Sequence, residues 1–193
     1  MLKKNALVLL GGLIGLLLSP GPAFAQQTPP LQGLFADNFT FLTPPIPAPL
    51  EVFQDLKGGR VRLADFEGRV VLLNFWATWC APCIREMPTL DNLQAGLGDE
   101  GLAVLAVSID GAGPEVIAPF AKRLKLEHLG LYHDPKGALF KAFAVASLPT
   151  TFLIDRQGRI LGGLAGSAEW DTPEAVEFLR YYLRGGKSEA AAQ

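Results

Sequence analysis

The chain has little of what usually marks a metal-binding or nucleic-acid-binding protein. Its 193 residues include two cysteines and two histidines, and no run of lysine or arginine stands out. The formal net charge is −2, from 17 basic and 19 acidic residues, so no electrostatic feature supports binding to nucleic acid. A structural zinc site needs four ligands, and no second pair of cysteines or histidines has zinc-like spacing. The sequence predicts neither a metal site nor a cofactor.

The N-terminus has the pattern of a targeting segment. Two lysines precede an apolar stretch at residues 6–18, which is followed by a proline-containing break and the small-residue pattern Ala23-Phe24-Ala25. The apolar stretch is short for a bilayer span, which needs about 20 residues, so cleavage after Ala25 is favoured over a retained anchor. With residues 1–25 as either signal peptide or anchor, the rest of the chain is expected in the periplasm or otherwise outside the cytoplasm. Membrane contact is expected only through this segment, if it is not cleaved.

Composition divides the remaining chain into three regions. Residues 26–50 contain six prolines and are expected to form an extended arm, in which Phe39 and Phe41 alternate as in an edge strand. Residues 51–184 carry the strand and helix patterns of one folded domain. Residues 185–193 are expected to form a flexible tail.

The apolar pattern of the domain predicts an α/β fold. A turn at 57–60 separates two short strands and predicts an N-terminal β-hairpin. Two buried strands are predicted at 70–75 and 102–109, with a helix from about 80 to 97 between them, which makes the strands a parallel pair. Further strands are expected at 129–132, 150–154 and 159–164, and further helices at 114–124, before 143 and at 173–184.

The strongest local signal is the Cys80-Ala81-Pro82-Cys83 motif, which follows a buried strand and opens a helix. This spacing brings the two α-carbons within disulfide range. At a helix start Cys80 faces unsatisfied N–H groups, which lower the pKa of its thiol and make it the attacking group. Cys83, one turn further, is expected to be less exposed and to act as the resolving thiol. The alternative is an inert structural disulfide, but so short a loop restrains the unfolded chain little.

Two motifs carry a resemblance to a known family. The stretch VVLLNFWATWCAPC at 70–83, followed by Glu86 and Pro88, and the stretch LPTTFLID at 148–155 resemble the TlpA/ResA/CcmG branch of the thioredoxin superfamily. The resemblance extends over roughly residues 35–184. It implies a thioredoxin-like fold, with a central mixed sheet, helices on both faces and an N-terminal β-hairpin extension. It also implies thiol–disulfide exchange with protein substrates.

The resemblance assigns supporting roles to residues around the cysteines. Pro149 is expected to be a cis-proline facing them, with the backbone of Leu148 presented to a partner chain. Glu86 is expected to be a partly buried carboxyl with a raised pKa that tunes the thiols and assists proton transfer. Asn74 departs from general thioredoxins, which carry a buried aspartate there, so the acid–base role is absent or moves to Glu86.

The aromatic residues and prolines near the motif divide between core and surface. Trp76 ends the strand and is expected in the core, whereas Trp79 abuts Cys80 and is expected to contact a partner. Pro82, inside the motif, is grouped with Trp79, Leu148 and Pro149 as substrate-binding.

The resemblance also suggests partners and a direction of electron flow. It implies that the protein acts as a reductant of exported protein thiols and disulfides, for example apocytochrome c during cytochrome c maturation, and receives electrons from a membrane donor. Two alternatives remain open: a Cu(I)-binding metallochaperone and a peroxiredoxin-like peroxidase. His128 and His133 are interpreted as surface or turn residues rather than copper ligands.

Overall fold

A computed structural model describes residues 38–186 of the chain. The predictions for residues 1–25 and for most of the C-terminal tail lie outside this range. Among the described residues, no helix combines the length and hydrophobicity needed to cross a bilayer.

One mixed sheet organises the described residues. Its strands are β1 (Phe39–Pro47), β2 (Phe53–Asp55), β3 (Arg60–Val61), β4 (Val70–Trp76), β5 (Leu102–Ser108), β6 (Gly130–His133), β7 (Thr150–Ile154) and β8 (Arg159–Ala165). Their order across the sheet is β1-β8-β7-β4-β5-β6-β2-β3. At the centre, β4 pairs in parallel with β5 and antiparallel with β7, and all seven of its residues are buried. A strand buried on both faces explains why its sequence is an almost continuous apolar run.

Helices cover both faces of this sheet, as the fold class predicted. They are α1 (Ala81–Leu97), α2 (Pro114–Leu124), α3 (Ala138–Ala142) and α4 (Pro173–Leu183). Alternate residues of β4 point to opposite faces: Leu72 and Trp76 join the core with α1, α2 and α4, whereas Leu73 and Phe75 join the core with α3. Asn74 shares the first face, so its side chain is directed towards α1.

The N-terminal part of the described chain adds strands at both edges. The β2–β3 hairpin predicted from the 57–60 turn is present, and β2 also pairs with β6. At the other edge β1 pairs with β8, so the alternation of Phe39 and Phe41 correctly predicted an edge strand within the proline-rich region. Phe39 is buried against Phe178 of α4, with ring centroids 5.2 Å apart.

Candidate active site

The cysteine motif lies at the start of α1, at the carboxyl end of the central strand β4. Cys80 is the N-cap residue with an extended backbone, and its Sγ atom accepts a hydrogen bond from the Cys83 N–H at 3.3 Å. Pro82 falls in the first turn, where a missing N–H breaks no helical hydrogen bond. The Cys80 side chain therefore lies where unsatisfied N–H groups and the positive end of the helix dipole favour a negative charge.

The two cysteines form a disulfide, with their α-carbons 5.3 Å apart. They are not equally accessible: Cys80 exposes 6% of its surface and Cys83 none. This order agrees with the prediction that Cys83 is the less exposed residue. Of the two cysteines, Cys80 is therefore the one that retains contact with solvent.

Glu86 lies one helical turn beyond Cys83 and is almost completely buried, at 2% exposure. Its Oε1 atom accepts a hydrogen bond from Asn74 Nδ2 at 2.8 Å, and Oε2 accepts from the Ala168 N–H at 3.2 Å and from Trp170 Nε1 at 3.4 Å. Burial raises the pKa of Glu86 from 4.5 to about 7, although these hydrogen bonds oppose the change. A carboxyl that titrates near neutral pH can take up and release a proton during exchange.

Asn74 joins Glu86 to the neighbouring strand β7. Its Nδ2 atom also donates to Thr151 Oγ1 at 2.9 Å, and its Oδ1 atom has no hydrogen-bond partner among the described residues. The amide of asparagine has a donor on one side and an acceptor on the other. Asn74 can thus donate to an ionised Glu86 or, after rotation of its amide, accept from a protonated one.

The loop before β7 completes the surroundings of the disulfide. The Leu148–Pro149 peptide bond is cis, as the resemblance implied. Thr150 pairs with Phe75, which places Pro149 opposite the end of β4 and close to the Cys80 loop. An open groove of about 420 Å³ lies beside Cys80, lined by Trp79, Pro82, Ile109, Phe140, Ala146, Ser147 and Leu148. Three of the four predicted substrate-binding residues line this groove; Pro149 is buried and does not.

The two tryptophans near the motif differ in solvent exposure, as expected. Trp76 is fully buried, whereas Trp79 exposes 68% of its surface beside Cys80. Large exposed apolar side chains are uncommon among the described residues, where Ile46 and Leu50 are the other examples. Trp79 therefore offers an aromatic surface at the mouth of the groove.

A polar cluster behind the Cys80 loop was not anticipated from the sequence. Asp110 directly follows Ile109 after β5 and is buried; its carboxylate accepts hydrogen bonds from Thr78 and Ser108. A polar residue just beyond the carboxyl end of a strand parallel to β4 was an available signal, because these strand ends meet at one edge of the sheet. The contact of Ala168 and Trp170 with Glu86 had no comparable signal, since more than 80 residues separate the partners.

The interpretation of His133 as a surface or turn residue is wrong. His133 ends β6 and is buried, and its Nε2 atom lies 2.8 Å from the Asp110 carbonyl oxygen. Because β6 pairs in parallel with β5, His133 is carried beneath the Asp110 loop. His128 is exposed, as expected. Within residues 38–186 no group of three or more histidine, cysteine or acidic side chains is arranged to hold a metal ion.

The mixed sheet, and the disulfide at the first turn of the helix that follows its central strand, agree with a thiol–disulfide oxidoreductase of thioredoxin-like fold, the class to which the similar proteins belong. A solved structure from Chlorobium tepidum, assigned as the thiol:disulfide interchange protein DsbE, superposes with a TM-score of 0.66 and 31% identity. The match covers 75% of this chain and 99% of that one.

Sequence comparison identifies the family. Residues 44–162 match the model of the AhpC/TSA family. The thiol-disulfide oxidoreductase ResA of Bacillus cereus is 33% identical over 190 residues, which cover 95% of this chain and 98% of the relative. ResA of Geobacillus kaustophilus is 40% identical over 130 residues, 67% of this chain and 72% of that protein. The chain belongs to the AhpC/TSA family and, within it, to the ResA-like thiol–disulfide oxidoreductases. These relatives favour disulfide exchange over the copper-binding and peroxidase alternatives.

Proposed function

We propose that this protein reduces disulfides of exported proteins outside the cytoplasm, with Cys80 as the attacking thiol and Cys83 as the resolving thiol. The observation that carries the proposal is the position of the disulfide: Cys80 caps α1 beside an open groove, whereas Cys83 is fully buried. This difference in accessibility supports Cys80 as the residue that meets a partner's sulfur.

The proposed reaction transfers two electrons in two steps. The Cys80 thiolate attacks one sulfur of the partner's disulfide, which forms a mixed disulfide and releases the other partner sulfur as a thiolate. Cys83 then loses its proton and attacks Cys80 Sγ, which frees the second partner thiolate and closes the Cys80–Cys83 disulfide. The partner gains two electrons and takes up two protons to become a dithiol. A membrane donor is proposed to reduce the disulfide again for the next cycle.

Glu86 is proposed to accept the proton that Cys83 loses in the second step. The two residues lie three positions apart on α1, so their side chains share one face of the helix. A buried thiol is a weak nucleophile until it loses its proton, and the raised pKa of Glu86, about 7, makes its carboxylate a competent base near neutral pH.

The proposed substrates are chains that dock an extended segment along the groove. Trp79, Pro82 and Leu148 line the groove and are proposed to contact the segment, while Pro149 shapes the loop that carries Leu148. Apocytochrome c is the proposed example, because a C-x-x-C-H motif can close a disulfide that must be reduced before haem attaches.

Trapping in the native cell envelope tests this proposal. In the Cys83→Ser variant the second step cannot occur, so physiological partners are expected to accumulate as mixed disulfides on Cys80, and mass spectrometry identifies them. The Cys80→Ser variant is the matched control and should capture no partner, because Cys83 is buried.

The two variants also show which part of the proposal is wrong if the expected capture is not seen. Capture through Cys83 in the Cys80→Ser variant would reverse the two cysteine roles. Capture of exported proteins that lack a C-x-x-C-H motif would support the exchange but remove cytochrome c as the example. Absence of any captured protein would contradict the proposed substrate class.

A further inference from the structure

The segment between β4 and α1, residues 77–80, presents an exposed aromatic side chain next to the reactive disulfide. Trp79 gains little from burial within its own chain, so its position depends on the backbone that carries it. A hydrogen bond from the Cys80 N–H to the Ala77 carbonyl, 3.1 Å long, closes the segment on itself. Ala77 and Cys80 pack into the core, and Thr78 makes hydrogen bonds to the loop that follows β5.

Asp110 holds Thr78 with both oxygens of its carboxylate. The Thr78 N–H donates to Oδ2 at 2.9 Å, and the Thr78 hydroxyl donates to Oδ1 at 2.7 Å. Hydrogen bonds to a charged acceptor are stronger than neutral ones, and two on a single residue restrict its rotation as well as its position. The carboxylate therefore fixes the residue immediately before Trp79.

Asp110 is itself held by three hydrogen bonds, two to Ser108 and one to His133. The Ser108 hydroxyl donates to its Oδ2 atom at 2.7 Å, and its own N–H donates to Ser108 Oγ at 2.9 Å. Its carbonyl oxygen can only accept, so His133 Nε2, at 2.8 Å, donates to it. The His133 ring packs against Gly113, where an added Cβ atom would lie 2.7 Å from Cε1. A buried carboxylate with this support is a rigid anchor for Thr78.

The two cysteines depend on different contacts. The Cys80 sulfur accepts from the Cys83 N–H, and the Cys80 carbonyl accepts from the Ile84 N–H at 3.0 Å. Helix α1 thus holds the reacting sulfurs, whereas Asp110 holds Thr78, the residue before Trp79. Loss of the Asp110 carboxylate should disturb the contact surface more than the exchange chemistry.

We propose that Asp110 is a positioning residue that fixes Trp79 for contact with protein partners and so lowers the KM for protein disulfides. The proposal rests on the proposed function, because it assumes that a protein partner docks beside Cys80. It assigns no direct contact between Asp110 and the reacting sulfurs.

Reduction of two substrates by the full chain tests this role: one is followed at steady state with dithiothreitol as the electron source, and the other, which dithiothreitol reduces directly, in a single turnover by pre-reduced protein freed of dithiothreitol. One substrate is insulin, a protein disulfide, and the other is 5,5′-dithiobis(2-nitrobenzoate), a small disulfide that needs no docking surface. For Asp110→Ala, the KM for insulin is expected to rise about tenfold, or about 1.4 kcal/mol. This is less than one hydrogen bond to a charged group contributes, because the substitution changes the position of Trp79 and removes no contact with the partner itself. The kcat for insulin and the rate with the small disulfide should stay within about twofold of the wild type.

Two milder variants keep the test decisive if Asp110→Ala does not fold. In Asp110→Asn one oxygen still accepts from the Thr78 N–H, and the amide can donate to the Thr78 hydroxyl oxygen, so the KM for insulin should remain within about threefold of the wild type. Thr78→Val removes the hydroxyl bond and keeps the N–H bond, so its KM should rise above that of Asp110→Asn. Thermal unfolding of each variant checks that the fold is retained.

A double-mutant cycle with Trp79→Ala shows whether Asp110 affects the KM for insulin through Trp79. If Asp110 acts through Trp79, adding Asp110→Ala to Trp79→Ala should raise the KM for insulin no further. If the KM increases of the two single variants multiply in the double variant, the proposal is overturned. It is also overturned if Asp110→Ala leaves the KM for insulin unchanged, or if it lowers the rate equally with both substrates. Failure of the wild type to reduce insulin would instead contradict the proposed function.

Discussion

Glu86 is a carboxyl group in a nearly water-free site, and its surroundings set the pKa on which the proposed proton transfer depends. Three donors surround it, yet desolvation outweighs them and raises its pKa to about 7. Because the pKa of Glu86 differs between the folded and the unfolded chain, the free energy of unfolding depends on pH.

The first prediction concerns this pH dependence in the oxidised protein. Between pH 4.5 and about 7 the folded chain keeps the Glu86 proton whereas the unfolded chain loses it, so the free energy of unfolding falls as the pH rises. The stabilisation is fully present below pH 4.5 and is lost as the pH rises through about 7, by on the order of 3 kcal/mol. Urea unfolding of the wild type and of Glu86→Gln at pH 5 and pH 8 measures the difference.

The glutamine variant should lack this contribution to the slope, because its amide does not titrate. Glu67→Gln is the matched control, since Glu67 is exposed, and it should keep the wild-type slope. Equal pH dependence in the wild type and Glu86→Gln would mean that Glu86 is already ionised at pH 5 in the folded protein.

A second prediction tests the pair formed by Asn74 and Glu86. Replacing Asn74 by aspartate places a second carboxyl within hydrogen-bond distance of Glu86 Oε1, and repulsion between the two raises the pKa at which the pair loses its last proton. If Glu86 is the base for Cys83, the rate of mixed-disulfide resolution should increase with pH through about 7 in the wild type. In Asn74→Asp the midpoint should move up by about one pH unit or more. Stopped-flow measurement of partner thiol release gives both profiles, and an unshifted midpoint would remove Glu86 from this step.

At the scale of single elements, strand β1 shows how a proline-rich segment can still belong to the core. Its pairing with β8 is interrupted between Phe41 and Ile46, in the region that contains two of its prolines. Prolines are tolerated there because an edge strand can leave N–H positions unpaired. The two ends of β1 differ, since Phe39 is buried and Ile46 is 48% exposed.

The third prediction compares these two residues by urea unfolding. Phe39→Ala removes a ring that packs on Phe178 and Phe41, and it should lower the free energy of unfolding by about 3 kcal/mol. Ile46→Ala removes a half-exposed side chain of the same strand and should cost about 1 kcal/mol or less. Equal effects of the two substitutions would show that β1 contributes through pairing alone.

The elements themselves were largely predictable from the sequence. Apolar runs, alternation and turn residues indicated all eight strands, because burial on one or two faces leaves a direct pattern. The extent of β1 was not predicted, since it continues to Pro47, beyond the alternation of Phe39 and Phe41. Proline at 114 and 173 marked two helix starts, where its missing N–H breaks no bond. These features depend on local sequence, which is why the sequence alone predicts them.

At the scale of the whole molecule, the sheet brings together side chains that the sequence separates widely. The cysteine motif and Glu86 share one helix, so their proximity was predictable. Asp110 comes from the end of β5, and Trp170 from the loop before α4; neither contact has a sequence period to reveal it. His133 was misassigned for the same reason, because its burial depends on the parallel pairing of β5 and β6.

The most direct test of the proposed exchange is a single reaction with a synthetic peptide that contains a C-x-x-C-H disulfide, monitored by intact mass. Reduced wild-type protein is predicted to yield the reduced peptide and its own Cys80–Cys83 disulfide. Reduced Cys83→Ser is predicted to stop as a one-to-one mixed disulfide on Cys80, and reduced Cys80→Ser to remain unmodified because Cys83 is buried. A peptide adduct on Cys83, or a wild-type protein that leaves the peptide oxidised, would contradict the proposed exchange.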